Sequence, residues 1–267
     1  MNLTLIGAGN LGRALTRGWI KSGLVPPGQI TATDRMPEAR GAFQAIHPGL
    51  RWADSIPAAV AAADVVLWAV KPQQIHEALP EGAGAPWSSV FISVCAGVPL
   101  ARLQSLSGPE RRIVRAMPNT PALVGEGVTA LSGNAVCTES DLERARSVFA
   151  AVGRVVLVGE KEMNAVTALS GSGPAFFYLL IDLMARAARE NGLESGEALR
   201  MAAQTARGAA QMILETGTPP RELMAQVTSK GGTTEAGLKI LDSARTEALI
   251  RETISAAARR SEELANG

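Results

Sequence analysis

The stretch Thr228-Ser229-Lys230-Gly231-Gly232-Thr233-Thr234 sets two glycines and two hydroxyl residues directly before a helical pattern, Glu235-Ala236-Gly237-Leu238-Lys239-Ile240-Leu241. Glycine lets the backbone turn, and the first amides of a helix lack an internal partner, so such a junction can seat an anion. A helix start with threonine as a plain cap has the same grammar, and the stretch alone does not choose between the two. A second glycine cluster, Gly7-Ala8-Gly9-Asn10-Leu11-Gly12, follows the apolar run Leu3-Thr4-Leu5-Ile6. After it, Leu11, Ala14, Leu15, Gly18 and Trp19 recur at helical spacing. In this G-x-G-x-x-G pattern the first glycine makes the turn, the second admits a pyrophosphate to the backbone, and the third packs helix on strand. The strand before and the helix after point to dinucleotide binding at residues 7–12.

Other polar groups fall where strands end. Asp34 and Arg35 follow the second strand pattern, Gln29 to Thr33, and they argue in opposite directions. An acid there binds the ribose hydroxyls of NAD and repels a 2′-phosphate, whereas an arginine pairs with that phosphate. Lys71, between Val70 and the strand-ending Pro72, suits a cofactor contact and a solvated strand end equally well. Cys95 reads as a small core residue, and Ala96-Gly97 after it would let a flat ring come close. Asn119, between Pro118 and Pro121, is favoured by turn chemistry as a cap rather than a ligand contact. His47 and His76 are the only histidines, both with the marks of surface residues, and no Cys, His and acid cluster has metal-ligand spacing. A hydride carrier, an anion seat and few acid–base groups suggest a substrate that already carries its proton.

The elements that would position these residues alternate at first. Strand patterns at 3–6, 29–33, 64–70, 90–95, 112–116, 128–131 and 154–158 are separated by helical ones, including Glu139 to Ala151, which is a doubly wound α/β signature. From Lys161 onward only helical patterns appear, so the expected division is a dinucleotide-binding domain over 1–160 and a helical substrate-binding and dimerisation domain over 161–267. Ser170-Gly171-Ser172-Gly173-Pro174 predicts a kinked helix, and Phe176 to Ile181 a helix buried on all sides at a subunit interface. A further helix is expected with Ser195 as its cap and Gly217 as its stop.

Composition narrows the function classes. At 46% hydrophobic and 19% charged the chain has enough apolar material for real cores, which excludes disorder. A net charge of +1 offers no electrostatic case for nucleic acid or a membrane surface. The apolar run Pro174 to Met184 is shorter than a membrane span. Cys95 and Cys137 read as reduced thiols, and the start at Met1 shows no export signal, so a cytoplasmic location is expected.

Four stretches together resemble the pyrroline-5-carboxylate reductase family: IGAGNLG at 6–12, AVKPQ at 69–73, and the pair ALSGSGPAF and VTSKGGTTEAG at 168–176 and 227–237. The resemblance covers essentially the whole chain. It implies an N-terminal Rossmann domain, a C-terminal helical domain that interlocks with a second subunit, and NAD(P)H-dependent reduction of 1-pyrroline-5-carboxylate to L-proline. By matching positions it places Ala8, Asn10, Leu11, Asp34, Val70, Lys71 and Ala96 around the cofactor, to which the glycine pattern and the strand ends add Gly7, Gly9, Arg35 and Pro72. Ser229, Gly232, Thr233, Thr234 and Glu160 would meet the substrate, with Thr234 near the ring nitrogen. NADP is the family's usual cofactor, and Asp34, where the family often has serine, leaves NAD open. A β-hydroxyacid dehydrogenase would need a lysine and an asparagine four residues apart, whereas Lys161 and Asn164 are three apart. A cofactor-sensing regulator would share the fold without turnover.

Overall fold

A computed structural model describes residues 1–266. Its contacts divide the chain into two compact units: one runs to Ser172 and takes back the chain from Ala257, the other is Gly173–Ala256. The change from alternating elements to helices therefore precedes the structural boundary. The segment from 161 to 172 is helical, yet it packs with the sheet.

Eight strands form the first unit's sheet: β1 (Leu3–Ile6), β2 (Ile30–Thr33), β3 (Arg51–Trp52), β4 (Val65–Trp68), β5 (Val90–Ser93), β6 (Ile113–Met117), β7 (Gly127–Gly133) and β8 (Gly153–Leu157). Their order is β3-β2-β1-β4-β5-β6-β7-β8. The first six run parallel, β7 pairs antiparallel with β6, and β8 runs parallel to β7. Helices α1 (Asn10–Lys21), α2 (Pro37–Gln44), α3 (Ile56–Val60), α4 (Ile75–Glu81), α5 (Leu100–Ser107), α6 (Glu139–Ala150) and α7 (Met163–Val166) connect the strands or follow them. Along β1 and β4 the side chains alternate between two apolar layers. Leu3, Leu5, Val65 and Leu67 join Trp19, Phe43 and Phe149, while Ile6, Val66 and Trp68 join Phe91 and Leu103. Such strands are buried on both faces, which is why they read as continuous apolar runs. Trp19 fastens α1 to α6 by donating Nε1–H to the Val148 carbonyl at 2.8 Å.

Strand order reverses on the two sides of β1 and β4: the connections from β1 lead outward to β2 and β3, and those from β4 lead the other way to β5 and β6. A crevice opens at the carboxyl ends of strands where such a reversal occurs.

After α7 a single π turn, Thr167–Gly171, leads to α8 (Gly173–Glu190). The Ser172 N–H reaches the Thr167 carbonyl at 2.8 Å, and the Thr167 and Ser170 hydroxyls bond back to the Met163 and Val166 carbonyls. Hydroxyls bonded in this way loosen a helical ladder. The break expected at Pro174 is therefore this π turn, and the proline is tolerated as the second residue of α8.

The second unit holds α8, α9 (Ser195–Thr216), α10 (Pro220–Gln226), α11 (Thr233–Leu241) and most of α12 (Ala244–Asn266). The cap of α9 is Glu194, whose carboxylate accepts the Gly196 and Glu197 amides, not Ser195 as its residue type predicts. Gly217 ends that helix with φ +65°, the left-handed conformation that glycine adopts without strain. The burial expected of α8 is absent in the single chain: Phe177 is 63% exposed and Met184 56%. The continuous helical stretch Glu160–Glu190 is also long and apolar enough, by length and composition, to cross a membrane, although its uninterrupted apolar run is short. An apolar surface of this size calls for a partner.

Candidate active site

Three backbone connections close the crevice floor. The Gly7 N–H donates to Thr33 O at 2.9 Å, Ala69 N–H to Ile6 O at 2.7 Å, and Val94 N–H to Trp68 O at 3.1 Å. The glycines divide their work as the pattern requires. Gly7 has φ +102°, and a Cβ on it would lie 2.5 Å from the Ala69 carbonyl oxygen. On Gly12 a Cβ would meet Gly7 O at 2.6 Å, so this residue lets α1 close on β1. Gly9 is different: a Cβ there would meet nothing within 4 Å. The backbone is open to a ligand at this one position.

The first bond of α1 runs from Arg13 N–H to Gly9 O, so the Asn10, Leu11 and Gly12 amides have no helical partner, and no acid stands in the first turn. Arg13 donates to Ala8 O at 3.0 Å and to Asn10 Oδ1 at 2.8 Å, holding a positive charge at this helix end. Free amides, helix dipole and guanidinium together suit a pyrophosphate. The donor set and the open space at Gly9 thus fit a dinucleotide.

Asp34 is turned inward. Its Oδ2 accepts the Ala8 N–H at 2.6 Å and its Oδ1 the Met36 N–H at 2.9 Å. Arg35 points elsewhere, with Nη1 3.2 Å from Glu77 Oε2 on α4. Neither Arg13 nor Glu77 was predicted as a site residue. Arg13 is visible as a cation in the first turn after the glycines, but Glu77 stands 42 positions from Arg35 and no local pattern joins them.

Lys71 is exposed and caps the short 3-10 turn that begins at Pro72, and Val70 is half-buried. Cys95 donates Sγ–H to Val70 O at 3.3 Å, and burial pushes its thiol up to about 11, so it is a packed residue and not a nucleophile. Ala96 is exposed beside buried Gly97, whose Cβ, if present, would stand 3.1 Å from Leu264. Asn119 does not cap its own turn as turn chemistry favours; its Oδ1 accepts the Val128 N–H of β7 at 2.9 Å, tying the turn to that strand. Among the described residues no group of acids, histidines and cysteines could hold a metal.

Glu160 has a structural task. Its Oε1 accepts Arg115 Nη1–H at 2.7 Å and the Leu100 N–H at 3.1 Å, joining β6 to the start of α5. Its Oε2 is buried without a partner. The bonds that Glu160 makes are those of an anchor within the sheet unit, which its expected place among the substrate contacts did not foresee.

In the helical unit α11 begins at Thr233, and its first helical bond joins Ala236 N–H to Gly232 O. The Thr233, Thr234 and Glu235 amides therefore have no helical partner. The Gly232 amide, expected to be free, donates to Ser229 O at 3.0 Å, because Gly231 at φ +74° folds the loop back on itself. The Gly231 N–H donates to the Glu235 carboxylate at 2.6 Å. This narrows the open seat to the amides of Thr233 and Thr234. Thr234 is half-buried, and its hydroxyl has no hydrogen-bond partner among the described residues.

Comparison with known proteins accounts for both units. Residues 160–264 match the model for pyrroline-5-carboxylate reductase dimerisation, and residues 2–97 the model for NADP oxidoreductase, coenzyme F420-dependent. The pyrroline-5-carboxylate reductase of Pseudomonas aeruginosa is 41% identical over 265 residues, covering 98% of this chain and 96% of that protein. The structure of a pyrroline-5-carboxylate reductase from Coxiella burnetii superposes with a TM-score of 0.94 at 36% identity, over 99% of this chain and 98% of that one. A Plasmodium falciparum pyrroline carboxylate reductase with NADP bound gives 0.87 at 27% identity, over 99% and 98%. Similarity at this level along both units shows that the chain belongs to the pyrroline-5-carboxylate reductase family.

Proposed function

We propose that the protein reduces the C=N bond of 1-pyrroline-5-carboxylate to give L-proline, using a reduced nicotinamide dinucleotide. The observation that carries this reading is the reach of the similarity: it spans both the glycine cradle and the Gly232–Thr234 loop, so the cofactor half and the substrate half are of one family. When bound, the nicotinamide supplies a hydride to the imine carbon. The ring nitrogen is protonated already and keeps its proton as the C=N double bond becomes a single bond, so no histidine base is required.

The chain's own contribution is positioning. Amides at Gly9 and at the start of α1 hold the pyrophosphate, and Val70, Lys71, Pro72 and Ala96 line the crevice towards the ring. The substrate carboxylate takes charge-assisted bonds from the Thr233 and Thr234 amides at the start of α11. The Thr234 hydroxyl, free of other bonds, orients the ring nitrogen, and Ser229 shapes the loop through its bond to Gly232. Orientation of this kind can supply roughly 7–11 kcal/mol of a barrier. Glu160 enters through Arg115 and the Leu100 amide, which it holds together.

NADPH is the favoured form. The matching N-terminal model is one of NADP oxidoreductases, and the Asp34 charge is partly spent on the Ala8 and Met36 amides before any ribose arrives. The exposed apolar face of α8 is the surface for a second copy, so the working form is a homodimer or a larger homo-oligomer. The deciding experiment follows the loss of NADPH and NADH absorbance on adding pyrroline-5-carboxylate to the purified protein. Consumption with NADPH at the lower KM supports the reading. Nucleotide binding with no turnover would instead leave a cofactor-sensing regulator.

A further inference from the structure

We propose that Glu77 sets how strongly this protein discriminates between dinucleotides with and without a 2′-phosphate, by holding the Arg35 guanidinium that would otherwise pair with that phosphate. The inference rests on the reading of the β1/β4 crevice as a dinucleotide site. Arg35 stands two residues past the end of β2, where the adenosine ribose lies in this class of sheet. A guanidinium offers a planar fork of donors that fits a phosphate, but here it is engaged: Nη1 lies 3.2 Å from Glu77 Oε2. The pair joins the loop after β2 to α4, across the two lips of the crevice.

Exposure makes this pair exchangeable. Arg35 and Glu77 side chains are 66% and 59% exposed, and pairs in that setting contribute little to stability. A 2′-phosphate dianion is a stronger partner than one carboxylate and can take the guanidinium over. Glu77 is therefore a competitor, and its strength subtracts from the selectivity that Arg35 confers. The opposing influence of Asp34 is already reduced by its two backbone partners, which leaves Arg35 and Glu77 as the adjustable elements. The other Glu77 oxygen lies 3.8 Å from His76 Nε2.

Calorimetric titration with 2′,5′-ADP and 5′-ADP tests the idea on the intact chain. Glu77→Gln should tighten 2′,5′-ADP by about three- to fivefold relative to 5′-ADP, the scale of one exposed pair. In an Arg35→Ala background the same substitution should give no such gain. An unchanged ratio in Glu77→Gln overturns the proposal, and so does a gain that persists without Arg35, since that would be plain repulsion between Glu77 and the phosphate. Failure of both nucleotides to bind the wild type would sink the dinucleotide reading itself, whereas binding with a fixed ratio defeats only the role of Glu77.

Discussion

Asp34 Oδ2 accepts the Ala8 N–H at 2.6 Å, so the acid at the end of β2 braces the glycine loop from below. A hydrogen bond to a charged group contributes about 1.5–3 kcal/mol, and 1.4 kcal/mol is tenfold in affinity. Asp34→Ala should weaken NADH binding by about tenfold as the loop loosens. NADPH should lose less, because the same change removes a negative charge facing the 2′-phosphate. Fluorescence titration of both dinucleotides checks this, and an equal loss for the two would reject the electrostatic part.

Thr234 is expected to act on turnover and not on cofactor binding. Thr234→Ala should lower kcat with pyrroline-5-carboxylate by roughly 10²-fold, the smaller end of what a positioned proton-bonding group contributes. Thr234→Ser, which keeps the hydroxyl, should retain most activity. Dinucleotide affinity measured on the same samples should not move; wild-type rates in the alanine variant would remove Thr234 from the mechanism.

The Glu160–Arg115 pair should appear in stability. Arg115 is only 5% exposed, so Glu160→Gln leaves a guanidinium buried without a counter-charge. The expected loss is about 3 kcal/mol in urea unfolding, the lower part of the range for broken buried pairs because Glu160 is itself 32% exposed. Replacing both residues by methionine should recover part of it. A loss confined to KM with unchanged stability would return Glu160 to the substrate.

The two thiols give a pH dependence with a definite sign. Burial raises both Cys95 and Cys137 from 9.0 to about 11, so the folded protein holds more protons than the unfolded chain between those values. Stability is unaffected by the thiols below pH 9 and falls as pH rises from 9 towards 11. The urea midpoint over that interval should decline less steeply in a Cys95→Ala, Cys137→Ala variant. Thiol reagents at pH 8 should label neither residue until denaturant is added.

Much of this architecture was legible because local physics decides it. Gly7 and Gly12 each meet a separate steric demand, Gly9 leaves the backbone open, and continuous apolar strands such as Val65–Trp68 announce a sheet covered on both faces. What stayed hidden depended on partners distant in sequence. β3 is two residues long, too short for any periodicity, and β7 reverses direction because of what it pairs with, not what it contains. Glu194 displaced Ser195 as a cap by reaching two amides at once. Phe177 and Met184 have the composition of core residues, yet in one chain they face outward, so the pattern revealed burial without revealing by whom. The role of Glu160 lay beyond reach because Arg115 and Leu100 are 45 and 60 positions away.

Helix α12 begins in the helical unit and ends in the sheet unit, where Ser261 bonds Asn164 at 2.9 Å and Leu264 covers Gly97. The ribosome delivers Leu264 long after Gly97, so the sheet unit cannot acquire its complete packing while the helical unit is still being synthesised. A nascent chain halted before residue 257 holds a sheet with an uncovered seam beside Ala96-Gly97. Maturation of this crevice therefore waits on synthesis of the last turns of α12.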